Sequence, residues 1–455
     1  MGQLTVANTH ERAVRALRES YAAIPPGTPV RLAKRTSNLF RFREPSGVPG
    51  LDVSGFDRVL KVDPETRTAE VGGMTTYEDL VDATLPYGLM PLVVPQLKTI
   101  TLGGAVTGLG IESSSFRNGL PHESVLEMEI LTGDGRIVTA TRDNEHRDLF
   151  YGFPNSYGTL GYALKLTIKL EPVKPYVWLR HVRFADTAAL SRALAEISEA
   201  GEYEGEHVDF LDGTFFGPGE SYLTLGTFTG RVPYVSDYTG QGIYYRSIQR
   251  RSVDFLTIRD YLWRWDTDWF WCSKAFGVQN AAVRAVWPKA KKRSDVYRRL
   301  VALDKRSQFS ARIDRWTGKP PREDVIQDIE VPVERLAEFM EFFQEKVGMS
   351  PVWLCPLRAR EPWPLYPLDL GKVYVNVGFW GTTPLPPGQI PEYHNRLIER
   401  KVAALDGHKS LYSTSFYSRA EFWQHYDGDT YRQLKTEYDP DARLLDLYDK
   451  CVRGN

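Results

Sequence analysis

Charge of one sign is missing from this chain: 57 Lys and Arg stand against 58 Asp and Glu, a formal net charge of -1 over 455 residues. A nucleic-acid groove normally shows as a basic excess, so nucleic acid is not expected as a partner. Cysteine is scarce as well. Cys272, Cys355 and Cys451 lie far apart and form no CxxC, which argues against a disulfide framework or a structural zinc site and for a reducing compartment. No apolar run reaches the ~18 residues that span a bilayer. Residues 1–20 carry charges where a signal peptide needs its apolar stretch. The eight histidines show no metal spacing, so no metal is expected. GxxxxGK[ST], HExxH and GxSxG are absent, and Gly108-Leu-Gly110-Ile-Glu112-Ser113 falls short of GxGxxG. What remains is a soluble cytoplasmic protein of two or three domains, at ~100–200 residues per domain.

Aromatics, by contrast, are plentiful at 12%, with 11 Trp, and the stretch 261–271 (YLWRWDTDWFW) is dense in them. Such a cluster is core, where large rings dominate burial, or else the wall of a long apolar pocket or a membrane-surface patch.

Periodicity organises the rest. Residues 9–24 place Val14, Leu17, Tyr21 and Ile24 at helical spacing before Pro25-Pro26-Gly27. Short strands are expected at 29–33, 60–63 and 68–71, and a helix over 77–85. Segment 95–115 reads as a loop, 125–131 and 136–141 as a hairpin around Thr132-Gly-Asp-Gly135, and 161–170 as a half-buried strand. Pro172 and Pro175 mark a linker. Beyond it come a strand at 177–184, a helix at 187–200, strands at 208–211 and 221–228, and a helix at 331–344. Strands pair at 351–358 and 371–380, and a charged helical tail runs from 413. The fold class is α+β, divided as 1–175, 176–412 and 413–455.

Chemistry concentrates in three segments. The first, Pro95-Gln96-Leu-Lys-Thr-Ile-Thr101-Leu102-Gly103-Gly104-Ala-Val-Thr107-Gly108-Leu-Gly110-Ile111-Glu112-Ser113-Ser114-Ser115, offers glycines and hydroxyls in quantity. Backbone N–H groups without side chains in the way can cradle a pyrophosphate; a Gly-rich surface loop is the other reading. The second, Gly158-Thr159-Leu-Gly161, leads into a strand and suits backbone lying on a flat ligand, or a tight bend. The third, Lys34-Arg35-Thr36-Ser37-Asn38, suits phosphate oxygens.

Taken in order, these segments resemble the FAD-binding domain of the vanillyl-alcohol-oxidase, or PCMH-type, flavoproteins. Gly110-Ile-Glu-Ser-Ser-Ser, Asp148-Leu-Phe-Tyr-Gly-Phe-Pro, Gly158-Thr-Leu-Gly-Tyr, Val352-Trp-Leu-Cys-Pro and Glu421-Phe-Trp-Gln-His-Tyr-Asp-Gly with Leu447-Tyr-Asp-Lys450 are similar to the delta-24 sterol reductase (diminuto/seladin) branch. The resemblance departs at the N-terminus, where the sterol enzymes carry a membrane-spanning helix. Residues 91–104 look like a bacterial group in that branch that reduces 10-methylene fatty acyl chains to 10-methyl ones beside a methylene-forming methyltransferase. The resemblance implies a two-lobed FAD domain, an α+β cap over the substrate, and a helical tail that returns to the FAD domain. It also implies FAD as cofactor, NADPH as transient reductant, a lipid acyl substrate and peripheral membrane contact at most.

Loop 31–43 holds no His, and no Cys precedes position 272. The covalent flavin links of many oxidases in this fold are therefore unavailable at their usual places; His122 is the nearby candidate. Non-covalent FAD and reduction are expected instead, with alcohol or sugar-lactone oxidase, or a lipid carrier that lost its flavin, as competing readings. Protonating an unactivated alkene needs an acid in a dry slot. Candidates are Glu112, a carboxyl whose pKa an apolar slot would raise, Asp212, and Tyr157. Glu112 as an ordinary capping acid and Asp212 as a turn residue stay open. Arg250, Trp263, Trp269 and Tyr374 are expected on the substrate.

Overall fold

The computed structural model describes residues 2–34, 40–41, 47, 50–307 and 320–454. Arg35, Thr36, Ser37 and Asn38 lie outside the described residues. Helix α1 (Gly2–Ala22) begins earlier than its periodicity predicts and stops before the Pro-Pro pair. It buries Leu17 and Tyr21 in a small core with Phe56 and Leu131.

A parallel pair, β1 (Leu32–Ala33) and β2 (Leu51–Asp52), precedes the first sheet. That sheet is antiparallel and runs β3 (Val59–Asp63), β4 (Thr68–Gly72), β8 (Tyr162–Pro172), β6 (Val125–Leu131), β7 (Ile137–Thr141), with β5 (Leu89–Pro91) also paired to β8. The β6–β7 hairpin closes where the Thr-Gly-Asp-Gly turn predicts, with Gly135 at φ 86°. Helix α2 (Tyr77–Thr84) is capped by the Thr76 side chain, which accepts from the Asp79 N–H. Residues 102–108 are not loop. They form helix α3 (Leu102–Gly108), because Thr101 supplies the N-cap oxygen to the Gly104 N–H. Helices α4 (Ser115–Asn118) and α5 (Arg147–Gly152) complete this half.

The second sheet has eight antiparallel strands in the order β14 (Val253–Thr257), β9 (Tyr176–Phe184), β13 (Glu220–Thr229), β12 (Phe210–Gly217), β16 (Val352–Leu357), β17 (Tyr374–Pro384), β15 (Arg322–Pro332), β18 (His408–Lys409). A small hairpin, β10 (Glu202–Tyr203) with β11 (Glu206–His207), sits beside it. Helix α6 (Thr187–Ala200) has its predicted bounds and an Asp186 cap. The helix expected over 331–344 is corrected at its start. β15 pairs with β17 as far as Pro332, and the helix occupies Leu336–Lys346.

Period-2 alternation gives the sheet two faces. Val325, Ile329 and Val331 of β15, Leu354 of β16 and Val377 of β17 join the core shared with α6 and Leu336–Lys346. Trp353, Cys355 and Tyr374 point the other way, into the core shared with the first sheet. The C-terminal helices Arg419–His425 and Gly428–Tyr438 pack back on the first half. There Lys435 donates to the Thr159 carbonyl at 2.8 Å and Lys450 to the Tyr157 carbonyl at 2.7 Å. No helix among the described residues is long and apolar enough to cross a membrane.

Candidate functional site

A cleft opens between the two halves. The first half contributes Lys34, Pro95, Gln96, Thr101, Gly104, Thr107, Gly108, Gly110, Ile111 and Tyr157; Phe40, Trp269, Phe270, Asp328, Trp353, Trp380, Ser410 and Tyr412 also line it. Strain marks the same place. Of the eleven non-glycine residues at positive φ among the described residues, Leu109, Tyr157, Trp269 and Phe270 line this cleft. Such conformations cost about 1–3 kcal/mol each and gather where the surroundings enforce a working geometry.

The glycine segment works by close approach. Gln96 donates to the Ile111 carbonyl at 3.2 Å, and Thr107 to the Gly103 carbonyl at 2.7 Å. A Cβ at Gly104 would lie 2.8 Å from Thr101 Oγ1, one at Gly108 3.0 Å from the Tyr157 ring, and one at Gly110 2.9 Å from Pro95 Cγ. Each side chain would intrude on the cleft wall. This bare backbone, beside the Lys34 cation and flat aromatic rings, fits a dinucleotide with a planar ring system. Two predicted glycines act differently. Gly161, at φ 145°, packs against Ile130 and the Leu131 carbonyl, so Gly158-Thr159-Leu-Gly161 is a tight bend outside the cleft lining. Leu102, Gly103, Ser113 and Ser114 are buried behind the lining; Ser114 donates to the Leu92 carbonyl at 2.8 Å.

The sequence candidates for the proton donor are brought together, but not at the cleft. Arg264 places one guanidinium nitrogen 3.0 Å from Glu112 Oε1 and 2.8 Å from Asp212 Oδ2, with all three side chains buried. Asp212 Oδ2 also accepts from the indoles of Trp265 at 3.2 Å and Trp353 at 3.1 Å. Burial raises the Glu112 pKa, Arg264 opposes that, and Asp212 adds to it. The structure places Glu112 and Asp212 in a buried ion cluster in which Asp212 holds Trp353, which does line the cleft. Tyr157 lines the cleft, but its hydroxyl donates to the Gly108 carbonyl at 2.6 Å and its N–H to Thr107 at 2.7 Å. It clamps α3 instead of holding a free proton.

Among the expected substrate contacts, Trp269 lines the cleft and the others do not. Arg250 is exposed, Trp263 is buried beneath Lys98, and the Tyr374 hydroxyl accepts from the Asp369 N–H at 3.3 Å. The aromatic stretch divides accordingly: Trp263, Trp265 and Trp271 are core, while Trp269 and Phe270 are wall. Phe40 stacks on Trp269 at 5.8 Å and Phe270 meets Trp380 at 4.2 Å. His122 is buried against Trp363, where desolvation pushes its pKa down to about 3. The described cleft lining holds neither His nor Cys.

Sequence reasoning missed the acid that the cleft does contain. Asp328 is the one carboxyl among the described lining residues. Asn376 donates to its Oδ1 at 3.3 Å, Tyr412 also hydrogen-bonds it, and burial outweighs both to push its pKa up to about 7. Glu330, on the same face of β15, is pushed up to about 8 by burial first and by Asp328 as well. Ser410 donates to Glu330 at 3.2 Å, and Tyr366 donates to its other oxygen.

Comparison with known proteins accords with this geometry. The FAD binding domain family matches residues 3–141. Among curated proteins, the chain is 27% identical to Delta(24)-sterol reductase of Rattus norvegicus over 89% of this chain and 76% of that protein. It is 26% identical to the Arabidopsis thaliana protein of the same name, with the same coverage. Cytokinin dehydrogenase 6 of Oryza sativa is 35% identical over 27% of this chain and 23% of its own. The chain carries an FAD binding domain in an α+β fold of the PCMH type, and these matches support an FAD-dependent oxidoreductase.

Proposed function

We propose that this protein reduces the carbon–carbon double bond of a methylene-branched fatty acyl chain to the saturated methyl branch, with FAD as cofactor and NAD(P)H as the source of electrons. The observation that carries the reading is the composition of the cleft: a glycine cradle lies with the rings of Phe40, Trp269, Phe270, Trp353, Trp380 and Tyr412, and Asp328 is the single carboxyl among the described lining residues. An apolar slot of that kind suits an alkyl chain and excludes water. The reductase names of the relatives support reduction of C=C as the direction.

FAD, when bound, supplies two-electron chemistry as a hydride equivalent. The chain's own residues do the rest. Gly104, Gly108 and Gly110 leave backbone bare for the dinucleotide, Lys34 places a cation beside it, and Tyr157 holds α3 in position. We assign the cofactor to 1–175, the substrate wall to 176–412, and the bracing of the 155–161 bend to 413–455. A sterol double bond is the second reading, supported by relatives that match over 89% of the chain. The choice of an acyl chain rests on the likeness of residues 91–104 to the bacterial acyl reductases. A cytoplasmic protein that touches membrane peripherally, beside a methyltransferase that makes the methylene lipid, completes the proposal.

The test is anaerobic reduction of the flavin band with NADPH, followed by a 10-methylene acyl lipid or a delta-24 sterol. Recovery of colour with the acyl lipid, and gain of two hydrogens by mass spectrometry, is the expected result. Recovery with the sterol alone would replace the substrate. No bleaching by NADPH, with bleaching by an alcohol, would make the protein an oxidase.

A further inference from the structure

We propose that Asp328 is the catalytic acid that protonates the substrate double bond, an assignment that rests on the C=C reductase reading above. Its carboxyl opens onto the same cleft as the glycine cradle, and no other carboxyl lies among the described lining residues. The backbone keeps room for it. Asp328 on β15 pairs with Gly378 on β17, and a Cβ at 378 would lie 2.5 Å from Asp328 Oδ1. Asn376, two residues before Gly378 on the same strand, donates to that oxygen. Tyr412 reaches it from the segment after β18 and is itself held by the Trp380 indole at 2.9 Å.

The surroundings favour the protonated acid. Among the described residues, the titratable groups that interact with Asp328 are Glu330 on its own strand, Cys355 on β16 and Tyr412 at the cleft, none of them a cation, and Tyr157 lines the same cleft. Lys34 is the one cation in the described lining. With a pKa near 7, a substantial fraction of Asp328 carries its proton at neutral pH, the match that general-acid catalysis requires. Glu112 and Asp212 lack this arrangement, since both lie off the cleft on Arg264.

The step balances as follows. The proton leaves Asp328 and forms a C–H bond at the terminal CH2 while the π bond breaks, leaving the electron deficit at the branching carbon. The hydride equivalent, drawn originally from NAD(P)H, forms the second C–H bond there. Asp328 is left as a carboxylate and takes its next proton from solvent once product has gone.

The FAD-loaded protein and its Asp328→Asn variant test this. In infrared difference spectra taken across neutral pH, the wild type should show a protonated-carboxyl C=O band that fades as pH rises, with that component missing in the variant. Reoxidation by 10-methylene acyl lipid, per bound flavin, should fall by about 10²–10⁴-fold, the usual loss for a general acid. Should Asp328→Asn fail to fold, Tyr412→Phe keeps the carboxyl and removes a bond that lowers its pKa; both the band and the descending limb of the pH profile should then move to higher pH. A variant that reoxidises as fast as wild type, or a spectrum with no such component, overturns the assignment. If wild type itself is not reoxidised by any alkene, the reductase reading falls first and takes the assignment with it.

Discussion

Asp328 and Gly378 face one another across the β15–β17 ladder, with so little room that a single methyl on residue 378 would stand 2.5 Å from the acid's Oδ1 and 2.6 Å from Trp380 Cη2. Gly378 is therefore a packing requirement of the cleft and not a flexible point. Gly378→Ala should displace the carboxyl or the indole, at about 1–3 kcal/mol for overpacking. Turnover should fall at least ~10-fold, more than the loss of folded protein explains. Thermal melting set against turnover per bound flavin checks this; a variant with normal turnover would mean the two neighbours can give way.

Arg264 serves two carboxylates at once, and all three side chains are buried. Arg264→Met leaves Glu112 and Asp212 without their cation, and removing one partner of a buried ionic group costs about 3–5 kcal/mol. Combining it with Glu112→Gln and Asp212→Asn should recover much of that loss, since no uncompensated charge then remains. Urea unfolding of the single and triple variants measures it. Because Asp212 also holds the Trp353 indole, the triple variant should still show altered substrate binding.

Much of the first half was legible in the sequence because its signals are local. The Thr-Gly-Asp-Gly hairpin depends on residues a few positions apart, as do the bounds of α6 in the second half. The site acid was not, for a physical reason. Val325, Ile329 and Val331 alternate with Asp328 and Glu330 as one strand's two faces, yet Val331 also opens a helical pattern, and Pro332 sits where either reading allows it. Only pairing with β17, fifty residues on, decides the matter and turns Asp328 towards the cleft. Arg264 was hidden similarly. It stands amid large rings, and its partners lie 152 and 52 residues away in sequence.

The glycine cradle makes a separate prediction about the cofactor. A Cβ at 104 would lie 2.8 Å from Thr101 Oγ1, the oxygen that caps α3 through the Gly104 N–H at 3.2 Å. Gly104→Ala should thus cost about 1 kcal/mol through the cap and weaken FAD about 10-fold through the lost approach. Flavin fluorescence quenching gives the affinity, and unchanged binding would place the dinucleotide elsewhere in the cleft.

Stability against pH offers a test that needs no substrate. Glu330 has its pKa pushed up to about 8 in the fold, from an ordinary 4.5. Its favourable contribution is complete below the unfolded pKa and is lost as pH rises through the folded one. Asp328, near 7, acts in the same sense. The buried histidines work oppositely: burial depresses His122 to about 3 and His181 and His408 to about 4, so their effect is half spent at pH ~6.5, the midpoint of the unfolded imidazole, and fades above pH ~7. Between pH ~7 and ~8 the acids therefore govern, and unfolding free energy should fall by up to ~1.4 kcal/mol per pH unit for each proton that the folded state alone retains. Glu330→Gln cannot ionise and should remove its share of that slope. Denaturant titrations across the window measure both, and equal slopes in wild type and variant would show that Glu330 is already ionised at neutral pH.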